Sequence, residues 1–487
     1  MAEGTYLGLD LGTSGLRGLL IDGQGDAIAE ASCAYATASP HDGWSEQDPD
    51  DWIVACETVF AELAKAAPEG FAAISGIGVS GHMHGAVTLD ADLKTIRPCI
   101  MWNDTRSHRE AAELDSDPAF RGISANIVFP GFTAPKLKWM ANNEPENFSR
   151  VAHVMLPKDY LVWWLTGRFM SEMSDASGTS WLDVANRCWS DELIAASGMK
   201  QDQFPELVEG SEAAGKVRSE LASRFGWTKP PVVAGGGADN ACAACGIGAL
   251  KEGQGFVSLG TSGVVLVARD TFAPKADSAV HTFCHAVPGR WYQMGVSLAA
   301  TDNLNWLAGI LGQTPDQLTE GLPASPSGPS RVRFFPYLSG ERTPHNDPDI
   351  RGALTGLSKL ADRNVLVSAV MEGVSFAMRD CLESLRATGA EPASLMAVGG
   401  GSRSDFWLAT LANTLNLPIE VPEKGDFGAA LGAARLAIAA AGGGDAASIM
   451  TRPGIARTIE PDSKCVPAYE AAYQKFADSY RGLRELQ

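Results

Sequence analysis

Apolar and polar positions at the start of the chain predict three short strands, at residues 6–10, 16–21 and 27–35, separated by glycine-containing turns. The period then turns helical over residues 50–66. Asp48-Pro49 stands in front as a start signal, because proline fits the first helical position, where its missing N–H leaves nothing unpaired. Strands return at 73–79 and 86–90. A β-meander followed by helix and strand is a mixed α/β arrangement.

The second half repeats the order. Strands at 255–259 and 264–269 flank another glycine-rich turn, and helices are predicted at 298–312 and 361–389. A short strand at 395–398 runs into Gly399-Gly400-Gly401, and helices at 403–416, 426–441 and 466–485 follow. Leu11-Gly12-Thr13-Ser14-Gly15 recurs letter for letter as Leu259-Gly260-Thr261-Ser262-Gly263. Each copy sits between two apolar strands, so the chain is read as a duplicated domain, 1–248 followed by 249–487. The Pro/Gly/Ser-rich stretches 322–332 and 441–446 are expected to be surface loops.

Composition narrows the function. With 487 residues, 45% apolar and 20% charged, the chain can bury a sizeable core. Lysine and arginine number 39 against 58 acids, and the net charge of −19 repels nucleic-acid phosphates and anionic lipid. Neither nucleic acid nor membrane is expected as partner, although a local nest of backbone N–H groups can still hold a small anion. The start carries no basic segment of a secretory signal, and the apolar windows are broken well short of a membrane span. Nine scattered cysteines, an odd count, speak against a disulfide framework. The expected location is the cytoplasm.

Two Gly-Thr-Ser-Gly turns half a chain apart suggest one phosphate group gripped from both sides of a cleft, with backbone N–H groups and the hydroxyls of Thr13, Ser14 and Thr261 as donors. A hairpin closed by glycine is the plain alternative for either copy. Asp10 ends an apolar strand just before the first turn, where a carboxylate could hold Mg²⁺ against the same phosphates or simply bond its own turn. Asp239-Asn240 follows a strand at 232–234 and the glycines 235–237, which leave room for a substrate; a catalytic acid and a helix cap are equally open there. Gly399-Gly400-Gly401-Ser402, between strand and helix, suits a nucleotide phosphate or adenine.

Polar and aromatic residues gather at His82-Met83-His84-Gly85 and Trp102-Asn103-Asp104-Thr105-Arg106, a mixture that suits a polyhydroxylated ligand. His82 and His84, two apart on a strand, would face one side and could begin a metal site. Other patterns fail their own context. Gly76 to Gly81 fits GxGxxG inside a strand with no helix after it, and Gly210 to Lys216 lacks the Ser or Thr of a phosphate loop. Cys242 and Cys245 read best as small residues on a closely packed helix, and His281, Cys284 and His285 lack a fourth zinc ligand.

The chain resembles the FGGY family of carbohydrate kinases from Leu7 to about Arg435. Residues 131–143, Gly-Phe-Thr-Ala-Pro-Lys-Leu-Lys-Trp-Met-Ala-Asn-Asn, resemble its first signature, and 352–372 the second, with a departure at Val365, taken as a surface position. Met83-His84-Gly85, Trp102-Asn103-Asp104, residues 44–49 and Leu338-Ser339-Gly340-Glu341-Arg342-Thr343-Pro344 resemble the branch that phosphorylates D-xylulose, while His82 and Ala238 depart from it. The resemblance implies duplicated ribonuclease H-like, actin-like ATPase domains flanking a cleft that takes a small-molecule sugar and ATP with Mg²⁺, in a chain that could form a homodimer. It implies Asp239 as catalytic base and Asp10 as the metal-side carboxylate. Met83, His84, Trp102, Asn103, Asp104, Asp239 and Asn240 would face the sugar. Thr13, Ser14, Gly260, Thr261, Trp306, Gly400, Gly401 and Ser404 would face the nucleotide.

Overall fold

The computed structural model describes residues 4–423 and 428–487. The first half carries β1 (Thr5–Leu11), β2 (Gly15–Ile21), β3 (Ala27–Ala34), α1 (Pro49–Ala66), β4 (Ile74–Gly81), α2 (Thr133–Asn143), α3 (Pro157–Thr166), β5 (Ala213–Lys216), β6 (Val232–Ala234) and α4 (Asp239–Gly246). Its sheet runs β5-β6-β4-β1-β2-β3. The hairpin-linked strands β1 to β3 are antiparallel, whereas β4 and β6 run parallel to β1. Leu7, Leu9 and Leu11 are buried together with Trp52, Val59, Phe60 and Leu63 of α1. The side chain of Asp48 accepts from Asp50 N and caps α1, with Pro49 inside the first turn.

The second half carries β7 (Gly255–Leu259), β8 (Gly263–Arg269), β9 (His281–Cys284), β10 (Trp291–Ser297), α5 (Thr301–Leu311), α6 (Arg363–Arg386), β11 (Leu395–Val398), α7 (Asp405–Leu415), β12 (Ile419–Pro422), α8 (Ala429–Ala440), β13 (Ile455–Ile459) and α9 (Val466–Glu485). Its sheet runs β9-β10-β8-β7-β11-β12-β13. The five strands β10-β8-β7-β11-β12 retrace β3-β2-β1-β4-β6, three antiparallel and then two parallel. The repeat therefore extends from a pentapeptide to a whole topology, that of a duplicated ribonuclease H-like unit.

The halves are locked together by α8, which packs on β1, β4 and α4 of the first half. Glycine makes this approach possible. A Cβ on Gly8 would lie 1.8 Å from Ala430 O, one on Gly78 1.9 Å from Ala433 O, and one on Gly432 1.7 Å from Cys242 O. That contact accounts for Gly76 and Gly78 of the GxGxxG pattern in β4, whereas Gly81 packs on Lys158 of α3. Cys242 and Cys245 are buried free thiols on α4, facing this close packing. The first residues predicted for α8, 426 and 427, lie outside the described residues.

Asp362 caps α6 by accepting from Val365 N, and Val365 is half-buried against the second core rather than on the surface. Among the described residues no helix is long and apolar enough to cross a membrane.

Candidate active site

Asp10 of β1 lies in register with Ser80 of β4, and Ser80 in turn pairs with Gly237 of the two-residue strand Gly237–Ala238. Asp10 and Asp239 thus stand at the same carboxyl end of two parallel strands that flank β4 on either side, the edge where open α/β sheets bind ligands. The glycines ahead of Asp239 serve packing rather than substrate access: at φ +77° a Cβ on Gly236 would lie 2.0 Å from Val79 O, and one on Gly235 2.5 Å from Glu209 O. Asp239 is the first residue of α4, the cap position belongs to Ala238, and no side-chain cap bond forms. Its Oδ1 accepts from N and Nδ2 of Asn240 at 2.6 and 2.9 Å. Burial, helped by the Asp10 charge, raises the Asp239 carboxyl to about 7. Burial raises Asp10 as well, against the opposing effects of Ser80 and Arg17.

The first Gly-Thr turn is closed by Gly12 N to Gly15 O at 3.0 Å. The Thr13 hydroxyl accepts from Trp102 Nε1 at 3.0 Å and its carbonyl from Gln47 Nε2 at 2.6 Å, while Ser14 is exposed. In the second turn Ala300 N and Thr301 N donate to Thr261 O and Gly260 O at 2.7 and 2.9 Å, seating the start of α5 on the loop. Gly399 packs on the same loop at φ +87°, where a Cβ would lie 2.8 Å from Leu259 O, and Gly401 abuts the Leu259 side chain. Gly400 faces open space, and Ser404 caps α7 through Trp407 N. The structure thereby brings Gly260, Thr261, Gly400 and Gly401 together. Trp306 sits farther along α5, exposed and stacked on Phe334.

On the first lobe's side Met83 and His84 are buried. His84 lies past the end of β4 at φ +72°, so the strand alternation expected to align it with His82 does not operate. No group of three metal-ligating side chains exists among the described residues, which removes the His82–His84 metal reading. His84 stacks on Phe132 with ring centroids 4.6 Å apart, and its Nδ1 lies 2.8 Å from Gly178 O. Burial first, and the Lys136 charge next, hold its pKa well below the usual value, so the ring is neutral. A carbonyl can only accept, so Nδ1 carries the hydrogen and Nε2 is left as an acceptor for a ligand hydroxyl. The His84 carbonyl accepts from Lys136 Nζ at 2.8 Å and from Thr133 Oγ1 at 3.1 Å.

Asp104 is not presented to the cleft, contrary to the expectation from sequence. Its oxygens accept from Ser45 N at 2.6 Å, Arg106 N at 2.9 Å and the Arg106 guanidinium at 2.7 Å, all buried. Asp104 shapes the Trp102 loop, whose Asn103 is exposed.

Several residues that hold the site went unassigned in the sequence. Lys136 lies inside the first signature without a role attached to it. Ala238 N donates to Ser174 Oγ at 3.0 Å, and the Ser174 hydroxyl donates to Glu172 at 2.8 Å, with Lys158 Nζ 3.6 Å from that carboxylate. This buried relay holds the backbone that delivers Asp239, and no local pattern announces contacts across such separations. A cavity of about 780 Å³ lies between residues 322–332 and α6 and touches Phe406 just beyond the Ser404 cap.

Duplicated sheets, paired Gly-Thr turns and a carboxylate at the end of each of two strands flanking β4 define a two-lobed, actin-like ATPase class of phosphotransferase. Family models agree: the N-terminal domain of the FGGY family of carbohydrate kinases matches residues 5–246 and its C-terminal domain residues 255–441. The chain belongs to that family. It is 42% identical to the xylulose kinase of Escherichia coli (strain K12) over 99% of both chains. A crystal structure described as a xyloylose kinase from Brucella ovis is 55% identical, with TM-score 0.97 over 99% of this chain and 100% of that one. The xylulose kinase from Rhodospirillum rubrum is 30% identical, with TM-score 0.90 over 99% of each.

Proposed function

We propose that the protein transfers the γ-phosphoryl group of ATP to the terminal 5-hydroxyl of D-xylulose, with Asp239 as general base. The observation that carries this reading is the Asp239 carboxyl itself: it opens α4 beside Asp10, free of any cationic partner among the described residues, with its pKa near 7. A base so placed is deprotonated at neutral pH often enough to act and still basic enough to take a hydroxyl proton. Neutral His84, with Nε2 open, and the Trp102 indole stand where a sugar would need an acceptor and an apolar face.

Residues 1–248 would carry the sugar side and 249–487 most of the nucleotide side. Gly260, Thr261, Gly400, Gly401 and the Ser404 helix end would hold the nucleotide, with Thr13 and Ser14 facing the transferred phosphoryl. Asp10 and Asp239 are hard oxygen donors whose charges raise the cost of ionising together. Such a pair fits Mg²⁺, which takes one or two carboxylates and completes its shell with phosphate and water. When bound with ATP, the ion would neutralise phosphate charge; Asp10 is the residue that would face it. In-line phosphoryl transfer then rests on positioning and charge neutralisation.

The test is ADP release measured over D-xylulose, D-ribulose and glycerol. The reading expects D-xylulose to have the highest kcat/KM and glycerol to be poor. A tenfold preference for D-ribulose or glycerol overturns the sugar, and ATP hydrolysis indifferent to every sugar overturns the kinase reading.

A further inference from the structure

Arg342 belongs to the second lobe, in the segment Leu338 to Pro344 that the phosphoryl-transfer machinery leaves without a role. Its backbone is tightly clamped. The Glu341 carboxylate accepts from Ser297 Oγ, Leu298 N and Arg342 N at 2.7, 3.0 and 2.7 Å. Thr343 exchanges bonds with β10, its N donating to Val296 O and its Oγ1 accepting from Val296 N, each at 3.0 Å. The same hydroxyl donates to Ala279 O at 2.8 Å.

The side chain that this clamp aims is left unspent. The guanidinium lies 4.8 Å from the centroid of the Phe129 ring, which belongs to the first lobe. Among the described residues no carboxylate comes within ion-pair distance of it, and its N–H groups make no hydrogen bond. Five donors with no acceptor in a half-buried setting call for a ligand that brings oxygen atoms.

The neighbours say which end of the ligand this is. Phe129 contacts Phe132 and His281 at 5.5 and 5.2 Å, and Phe132 stacks on His84. After burial and Lys136, the Arg342 charge lowers the pKa of His84 further; His281 is lowered by burial and then Arg342. Through Phe129 and Phe132, Arg342 therefore sits at the His84 end of the sugar site.

We infer that Arg342 is a specificity-determining residue contributed by the second lobe, donating through its guanidinium fork to the 1-hydroxyl and 2-carbonyl oxygens of the ketose. This rests on the D-xylulose reading, since a sugar with its 5-hydroxyl at Asp239 directs carbons 1 and 2 to the opposite end. It also gives the second lobe a direct hold on the sugar, so that ketose binding favours the closed arrangement of the lobes.

The test compares wild type, Arg342→Met and Arg342→Lys on D-xylulose and on 1-deoxy-D-xylulose, which lacks the 1-hydroxyl. A hydrogen bond from a charged donor contributes about 1.5–3 kcal/mol, so Arg342→Met should lose roughly 10- to 100-fold in kcat/KM on D-xylulose. The loss on 1-deoxy-D-xylulose should be at least fivefold smaller, ATP KM should hold within about twofold, and Arg342→Lys should fall between. Partial misfolding lowers both sugars equally and leaves their ratio unchanged. Equal losses on the two sugars, or D-xylulose kcat/KM within twofold of wild type, overturn the assignment while the kinase reading stands. A wild-type enzyme that ignores D-xylulose overturns both.

Discussion

Trp102 and Thr13 are joined across 89 positions of sequence by a hydrogen bond from the indole Nε1 to the threonine hydroxyl at 3.0 Å. The Trp102 loop and the first Gly-Thr turn are therefore one mechanical unit. Thr13→Val keeps the shape and removes the acceptor. It should raise the KM values of D-xylulose and ATP together, by about 3- to 10-fold for a neutral hydrogen bond, while Thr13→Ser stays near wild type. Steady-state kinetics with each substrate varied in turn checks this. A change confined to ATP would uncouple the two sides.

Gly178 sets the ring of His84. A Cβ there would lie 2.3 Å from Nδ1 and from Cε1 of the imidazole. Gly178→Ala should displace the ring, lower kcat/KM for D-xylulose by at least about tenfold, the cost of one lost bond to a ligand hydroxyl, and leave ATP KM unchanged. Unchanged sugar kinetics in this variant would detach His84 from substrate binding.

Asp104→Asn separates a structural role from a sugar contact. Removing one partner of a buried ion pair costs up to about 3–5 kcal/mol because the remaining charge stays buried, and here Glu46, 2.7 Å from Arg106, offsets part of that cost. With Arg106 buried at 7% exposure, Tm should drop markedly. In the folded range, KM for D-xylulose should stay within a few-fold of wild type. A normal Tm with a large rise in sugar KM is the result a direct contact would give.

Much of this architecture is legible in the chain because it depends on local signals. Glycine-bounded apolar runs mark β1, β2, β7 and β8, and Asp48-Pro49 marks α1 with its cap in place. The pentapeptide repeat leads directly to the duplicated topology. Other features escape because they are tertiary. The packing of α8 on the opposite lobe is recorded only as missing Cβ atoms at Gly8 and Gly78, glycines to which the sequence alone gives no purpose until the partner helix is seen. His84 adopts a left-handed backbone that period-two reasoning cannot anticipate. Asp104 looks like a ligand-facing acid until its carboxylate is found spent on Arg106, two residues away.

The raised pKa of Asp239 has a consequence for stability. In the folded protein the carboxyl keeps its proton up to about pH 7, whereas in the unfolded chain it releases it near pH 4. Between these values the native state binds more protons, so the contribution of Asp239 to stability is present at low pH and lost as pH rises through 7. Asp239→Asn removes that loss. Its Tm should exceed that of wild type at pH 8, with the difference shrinking toward pH 5. Equal melting curves at pH 8 would place the Asp239 pKa in the ordinary range.

If Asp239 takes the proton of the attacking sugar hydroxyl, the kcat of Asp239→Asn on D-xylulose reports that transfer. General-base catalysis contributes about 10²–10⁴-fold, so turnover should fall within that range while the protein stays folded and binds ATP as before. A folded Asp239→Asn enzyme with ATP bound and near wild-type turnover would contradict the account.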